Sequence, residues 1–272
     1  MPELPEVEIA RRNLEQWLGR SAVTAAEADR TRIFRGADRS SFERLRGRLA
    51  FARRHGKTLL LGFESNQGFL SHLGMTGKWV SRPAGESEPY SRARLFLADG
   101  RVLHYRDPRL FGRILPAPAD ALKELPEVQK LGADPLQERL DGPRLKALFA
   151  TSRTPLKVAL LDQRRVAGLG NIHAAEALWR AKLSPFHPVG SLQRPQWSRL
   201  ARAIRDSIRF ALSHETDEEV RYVEEPGTEN PFRVYGRAGQ RCLRCRATIQ
   251  CVRQAGRSTY FCPRCQPRRR KQ

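Results

Sequence analysis

Residues 241–265 read RCLRCRATIQCVRQAGRSTYFCPRC. Two Cys-x-x-Cys knuckles, Cys242 with Cys245 and Cys262 with Cys265, stand 16 residues apart. Four thiolates at that spacing can surround one Zn²⁺ tetrahedrally. Sulfur then fills every coordination position and leaves none for water, so the metal is expected to fold the module rather than act on a substrate. Residues 247–252 and 258–261 read as strands about the turn 254–257, with Arg257 expected at the tip. The fifth cysteine, Cys251, is expected as a small buried residue. The reading is a zinc ribbon over 236–272.

The 272-residue chain carries 50 Lys+Arg against 29 Asp+Glu, a formal net charge of +21. An excess of that size repels itself unless a polyanion is bound, and nucleic acid is the commonest polyanion. The sequence contains no signal-peptide pattern and no run of about 18 apolar residues. An intracellular, cytoplasmic protein without a membrane partner is therefore expected. Five cysteines, four of them at metal-ligand spacing, argue against a disulfide framework.

N-terminal to the ribbon, the hydrophobic period changes twice. Leu4, Val7, Ala10, Leu14, Trp17 and Leu18 recur at helical spacing. From about 21 to 115 the pattern is β-like, with runs at 57–63, 69–73, 94–98 and 101–105, the last two flanking the hairpin signal Asp99-Gly100. The proline-bearing stretch 116–135 reads as a linker. Helical spacing returns at 156–162, at 172–181 after the turn 168–171, and at Trp197, Leu200, Ile204, Ile208 and Ala211. That last helix carries Arg199, Arg202, Arg205 and Arg209 on its other face. Residues 213–233 lose periodicity and hold Asp217, Glu218, Glu219, Glu224, Glu225 and Glu229, the pattern of a mobile acidic loop. The chain ends in a basic run at 268–271. The fold class is α+β. An N-terminal β-sandwich with a leading helix (1–125) precedes a helical domain (135–235) and the ribbon (236–272).

The N-terminus reads Met1-Pro2-Glu3-Leu4-Pro5-Glu6. Removal of Met1 would expose a secondary amine at Pro2, and an α-amino group titrates near roughly 8, so a usable fraction is neutral at pH 7. A secondary amine adding to a carbon electrophile forms an iminium ion, an electron sink that labilises neighbouring bonds. Glu3 beside it can carry a proton.

MPELPEVE at 1–8, HLGMTG at 72–77, DPRLFG at 107–112, GLGNIHAAE at 168–176 and the closing ribbon occur in one order along the whole chain. Together they resemble the formamidopyrimidine-DNA glycosylase family. Leu4 favours that branch over the endonuclease VIII branch, which typically opens MPEGPE. The resemblance implies a bifunctional base-excision glycosylase and abasic-site lyase acting on duplex DNA that contains oxidised purines, with one structural Zn²⁺ and a monomeric state. It implies that Pro2 attacks C1′ of a flipped nucleotide, that Glu3 protonates the sugar ring, and that Lys57 acts near the flipped nucleotide and its phosphate. His72 matches a phosphate contact. Met75, Arg109 and Phe111 match the residues that fill the gap left in the stack. The segment around residues 157–171 matches a helix–two-turn–helix element, with Lys157 and Asn171 at its phosphate contacts and Arg153 as a further candidate. Arg257 matches the finger arginine that touches phosphate and assists elimination.

Two departures from the family pattern stand out. Where the family commonly carries His-x-His, this chain has Tyr90-Ser91-Arg92, so a DNA contact there falls to Tyr90 or Arg92, or is not made at all. The 213–233 segment is acidic, where the family's loop closes over the lesion and starts Gly-rich. Two alternatives stand beside this reading: within the same chemistry, a preference for oxidised pyrimidines; and, from another class, a non-catalytic zinc-ribbon DNA binder.

Overall fold

The computed structural model describes residues 2–214 and 219–268. Met1, the acidic residues Asp217 and Glu218, and the basic run beyond Arg268 lie outside the described residues. The chain divides into two compact units, one comprising residues up to Lys130 with the return segment up to Thr228, the other comprising the remainder.

The first unit begins with α1 (Leu4–Gly19), which buries the predicted face of Leu4, Val7, Ala10, Leu14, Trp17 and Leu18. The strands are β1 (Val23–Ala28), β2 (Leu49–His55), β3 (Thr58–Phe63), β4 (Gln67–His72), β5 (Lys78–Pro83), β6 (Ser91–Leu97), β7 (Arg101–Arg106) and β8 (Arg113–Pro118), with the short helices α2 (Arg39–Glu43) and α3 (Pro126–Gln129). They form two antiparallel sheets, ordered β1-β6-β7-β5 and β2-β3-β4-β8. The sheets face each other as a sandwich. Phe69 on β4 packs 5.7 Å from Trp79 on β5, and the Trp79 indole donates to Ser71 Oγ on the facing sheet at 3.1 Å. Asp99-Gly100 makes the expected hairpin turn, with Gly100 at φ +83°.

The stretch read as a linker belongs largely to this unit. Pro116–Pro118 is the end of edge strand β8, paired with Gln67–Phe69 of β4. An edge strand tolerates proline because one side of its ladder is unpaired. Leu122, Leu125 and Val128 then cover Leu60 and Leu70 on the outer face of the sheet. This second cover explains why β3 is buried at all six positions rather than at alternate ones.

In the second unit, α4 (Gly142–Leu148), α5 (Leu156–Leu160), α6 (Asn171–Arg180) and α7 (Arg194–His214) precede the ribbon hairpin β9 (Gln250–Gln254) and β10 (Arg257–Phe261). Helix α7 buries Trp197, Leu200, Ile204, Ile208 and Ala211, and Phe149 stacks on Trp197 with centroids 5.9 Å apart. Helix α6 lays Ala175 and Trp179 against Val234 and against Cys242, Ile249 and Cys262 of the ribbon.

Two local expectations are corrected. The ribbon tip is Ala255-Gly256, both with positive φ as a type I′ turn requires, and Arg257 is the first residue of β10, paired with Gln254. Cys251 is exposed rather than buried. Across the ladder its partner Tyr260 packs against the core cluster of Cys242, Ile249 and Cys262, whereas Cys251 lies on β9, the more exposed of the two strands.

The acidic return segment also differs from a free loop. Val220 and Tyr222 are buried, and the Tyr222 hydroxyl donates to Gly77 O at 2.6 Å. Glu225 pairs with Lys78 at 2.9 Å and Glu219 pairs with Arg82. Two of its carboxylates are thus neutralised by β5 within the same unit.

Candidate functional site

Glu3 caps the N-terminus of α1 and is fully buried. Its N–H donates to Glu6 Oε2 at 2.8 Å, while the Glu6 N–H faces the Glu3 side chain, a reciprocal box that satisfies two end-of-helix donors. Pro5 lies in the first turn, where a missing N–H costs nothing. Pro2 immediately precedes the cap and is buried.

Lys57 sits in the two-residue turn Gly56-Lys57 between β2 and β3, closed by the pair His55 and Thr58, one residue before the strand on which it was expected. Thr58 pairs in turn with His72 on β4, so Lys57 and His72 share one sheet end. Burial, with the nearby charges of Lys57 and Arg113, pushes the His72 imidazole down to about 4. Its Nδ1 accepts the Gly74 N–H at 3.1 Å, which leaves the ring proton on Nε2. A neutral imidazole keeps one N–H, at Nε2, a donor of the kind a phosphate oxygen accepts.

Met75 and Phe111 are 37% and 46% exposed, and Tyr90 is 54% exposed, high values for such apolar side chains. Their loops touch. A Cβ on Gly74 (φ +66°) would lie 2.4 Å from the carbonyl of Phe111, so only glycine allows this approach. The Arg109 guanidinium lies 4.7 Å from the Phe111 ring centroid. Two residues that sequence reasoning missed brace the cluster. The buried carboxylate of Asp107 accepts from Thr76 Oγ1 (2.8 Å), Gly112 N (2.8 Å) and Arg109 N (3.3 Å). Arg32 donates to the carbonyls of Leu110 (2.8 Å) and Arg109 (2.6 Å) and lies 5.1 Å from the Phe111 centroid. Asp107 opens the quoted DPRLFG motif, a signal that could have found it; Arg32 lies 77 residues from its acceptor and carries no local signal. Tyr90 joins the same loop, because its carbonyl accepts the Asp107 N–H at 3.0 Å and Arg92 lies 5.9 Å from its ring.

In the second unit, Gly168 (φ +92°) turns the chain and Gly170 caps α6, with Asn171 as its first residue. Lys157 and Asn171 converge on a single carbonyl. Lys157 Nζ donates to Ser258 O and to Thr259 Oγ1, both at 2.8 Å, and Asn171 Nδ2 donates to Ser258 O at 3.0 Å. They therefore tie the helical element to the strand that begins with the exposed Arg257. Lys157 itself is buried, and Arg153 is exposed in the turn before α5.

The four knuckle thiols lie within 4.8 Å of one another, with Cys245–Cys262 at 3.4 Å and Cys242–Cys265 at 4.0 Å. Zn–S bonds of about 2.3 Å in a tetrahedron place sulfurs roughly 3.8 Å apart, so the set fits one Zn²⁺.

Comparison with known proteins covers the same three regions. Residues 1–114 match the formamidopyrimidine-DNA glycosylase N-terminal domain, 131–220 the H2TH domain of that enzyme, and 239–268 a zinc finger found in FPG and IleRS. Formamidopyrimidine-DNA glycosylase of Brucella ovis is 39% identical, covering 98% of this chain and all of its own. The MutM (Fpg) structure from Thermus thermophilus is 37% identical, with TM-score 0.81, covering 97% of this chain and 98% of its own. Lactococcus lactis Fpg, in complex with DNA containing an abasic site, is 30% identical with TM-score 0.86, covering 98% and 100%. With the N-terminal sandwich, the helical element and the four-thiol site each matched in order and over nearly full length, the chain belongs to the formamidopyrimidine-DNA glycosylase family.

Proposed function

We propose that this protein excises oxidised purines from duplex DNA in the cytoplasm and cuts the strand at the resulting abasic site, with Pro2 as the nucleophile. The observation that carries the reading is the braced pair of exposed apolar side chains, Met75 and Phe111, with Arg109 stacked beside them. An apolar wedge compensates for unstacking when a nucleotide is extruded, and an adjacent guanidinium can hydrogen-bond the orphaned base.

Once Met1 is removed, the lone pair of the Pro2 nitrogen attacks C1′. The glycosidic bond breaks and its electron pair leaves with the base; the Pro2 nitrogen then sheds its N–H proton, and Glu3 supplies a proton to O4′ as the C1′–O4′ bond opens to leave an iminium at C1′. The positive end of the α1 dipole disfavours protonation of an amine beside it and so favours attack. The resulting iminium accepts the electron pair released when a C2′ proton is lost, and the 3′ phosphate departs. Loss of a further proton expels the 5′ phosphate. Lys57 and the Nε2–H of His72 hold phosphate oxygens on the first unit. Arg257, Arg153 and the α6 N-terminus with Asn171 hold them on the second, while Lys157 orients the strand that carries Arg257. Tyr90 flanks the wedge. Zinc supplies folding energy to the ribbon and takes no chemical step.

Borohydride reduction of the enzyme on duplex containing 8-oxoguanine opposite cytosine should leave a covalent adduct at Pro2. Absence of the adduct in protein lacking Met1 overturns the nucleophile assignment. Stronger trapping on oxidised pyrimidines than on oxidised purines overturns the substrate assignment.

A further inference from the structure

Arg54 on β2 is 2% exposed, a guanidinium in the interior of the first unit. Removing such a charge from water is costly and is sustained only by close partners. Its Nε donates to Glu8 Oε2 at 3.1 Å, and its Nη1 donates to the carbonyl of Gly56 at 2.9 Å. Glu8 belongs to α1, six residues after Pro2. Although burial opposes it, the surrounding Arg11, Arg54 and Arg12 hold the Glu8 carboxyl below its usual range, so it is ionised at neutral pH. Gly56 immediately precedes Lys57. One guanidinium therefore joins the helix that begins beside Pro2 and Glu3 to the peptide bond that carries Lys57.

The turn makes that bond consequential. A two-residue hairpin turn can adopt type I′, with positive φ at both residues, or type II′, with positive φ at the first alone. Gly56 has φ +58° and Lys57 is not among the positive-φ residues, the II′ pattern. The two types differ by a flip of the central peptide, and Gly56 O is the carbonyl of that peptide. A donor fixed on Gly56 O selects one orientation. It thereby sets the direction in which Lys57 leaves the turn.

We propose that Arg54 is a positioning residue for the reaction: the Glu8–Arg54–Gly56 clamp holds the Gly56-Lys57 peptide in one orientation and so aims Lys57 relative to Pro2 and Glu3. The proposal rests on the reading of Lys57 given above. Misplacement by about 1 Å costs on the order of 100-fold in rate, whereas the phosphate contacts of the second unit are untouched.

The test compares Arg54→Met, Arg54→Lys and Lys57→Ala, singly and combined, in the full-length protein. Single-turnover cleavage of an 8-oxoguanine duplex is measured beside the Kd for a duplex containing a tetrahydrofuran abasic analogue. Arg54→Met is expected to slow cleavage about 10- to 100-fold with Kd within about threefold, and to add little further loss in the Lys57→Ala background. Arg54→Lys keeps the charge opposite Glu8 and should recover part of the rate; it also serves if Arg54→Met does not fold. Full additivity of the Arg54 and Lys57 changes, or equal losses in rate and affinity, overturns the clamp while leaving the Lys57 reading intact. An unchanged rate in Lys57→Ala alone overturns both.

Discussion

The indole N–H of Trp179 on α6 donates to Sγ of Cys242 at 3.4 Å, and the Arg244 guanidinium lies 4.0 Å from the Trp179 ring. A metal-binding thiol thus takes its hydrogen bond from the helix of the helix–two-turn–helix element. Together with burial that opposes it, this N–H and the amides of Arg244 and Cys245 leave the Cys242 thiol more acidic than usual.

Zinc removal should therefore be visible at Trp179. Chelation, or Cys242→Ser, is expected to shift the fluorescence of Trp179 and to abolish DNA binding, because structural zinc contributes on the order of 10 kcal/mol to folding such modules. Unchanged fluorescence with stoichiometric zinc loss would contradict the coupling.

A second anchor is the buried Glu176, whose Oε1 accepts three consecutive amides, Arg233 at 2.9 Å, Val234 at 2.7 Å and Tyr235 at 3.1 Å. Glu176→Ala strands those donors and should destabilise the protein by about 3 kcal/mol or more in chemical denaturation. Desolvation raises the Glu176 carboxyl above 4.5 in spite of these amides. The folded state then binds the proton more tightly than the unfolded chain. The stability it contributes is full below 4.5 and declines as pH rises through the folded value. Glu176→Gln should flatten that decline in a pH series of melting temperatures.

His72 carries the opposite sign. Its folded value near 4 lies below the ordinary 6.5, so its neutral form favours folding above 6.5 and that contribution is lost as pH falls toward 4. Nitrogen NMR should find a neutral ring with the proton on Nε2 from pH 5 to 8. A charged imidazole at pH 6 would refute this, as would an inflection in the rate profile near 6.5 that disappears in His72→Gln.

Met75→Ala and Phe111→Ala separate wedge from core. Buried residues of this size cost about 2–5 kcal/mol when truncated, but exposed ones change stability by about 0.5 kcal/mol or less. Both variants are expected to melt like the parent while cleaving 8-oxoguanine duplex at least tenfold more slowly. Melting losses of core size would place them in the packing instead.

Much of this protein is written locally. Knuckle spacing gave the ribbon ligands, helical spacing gave the buried faces of α1 and α7, and Asp99-Gly100 gave its hairpin, because each signal lies within one element and its period is set by backbone geometry. The HLGMTG and DPRLFG motifs named Met75, Arg109 and Phe111 without saying how they meet. Tertiary structure decided that through Gly74 against the Phe111 carbonyl and through Asp107 and Arg32, whose partners are distant in sequence. It also decided what the acidic segment does. Glu219 and Glu225 look hostile to a DNA-binding chain when counted as charges, and they become compatible with it once paired to Arg82 and Lys78, some 140 residues away. Charge and periodicity are properties of the chain, whereas neutralisation and juxtaposition depend on distance, which only the folded backbone sets.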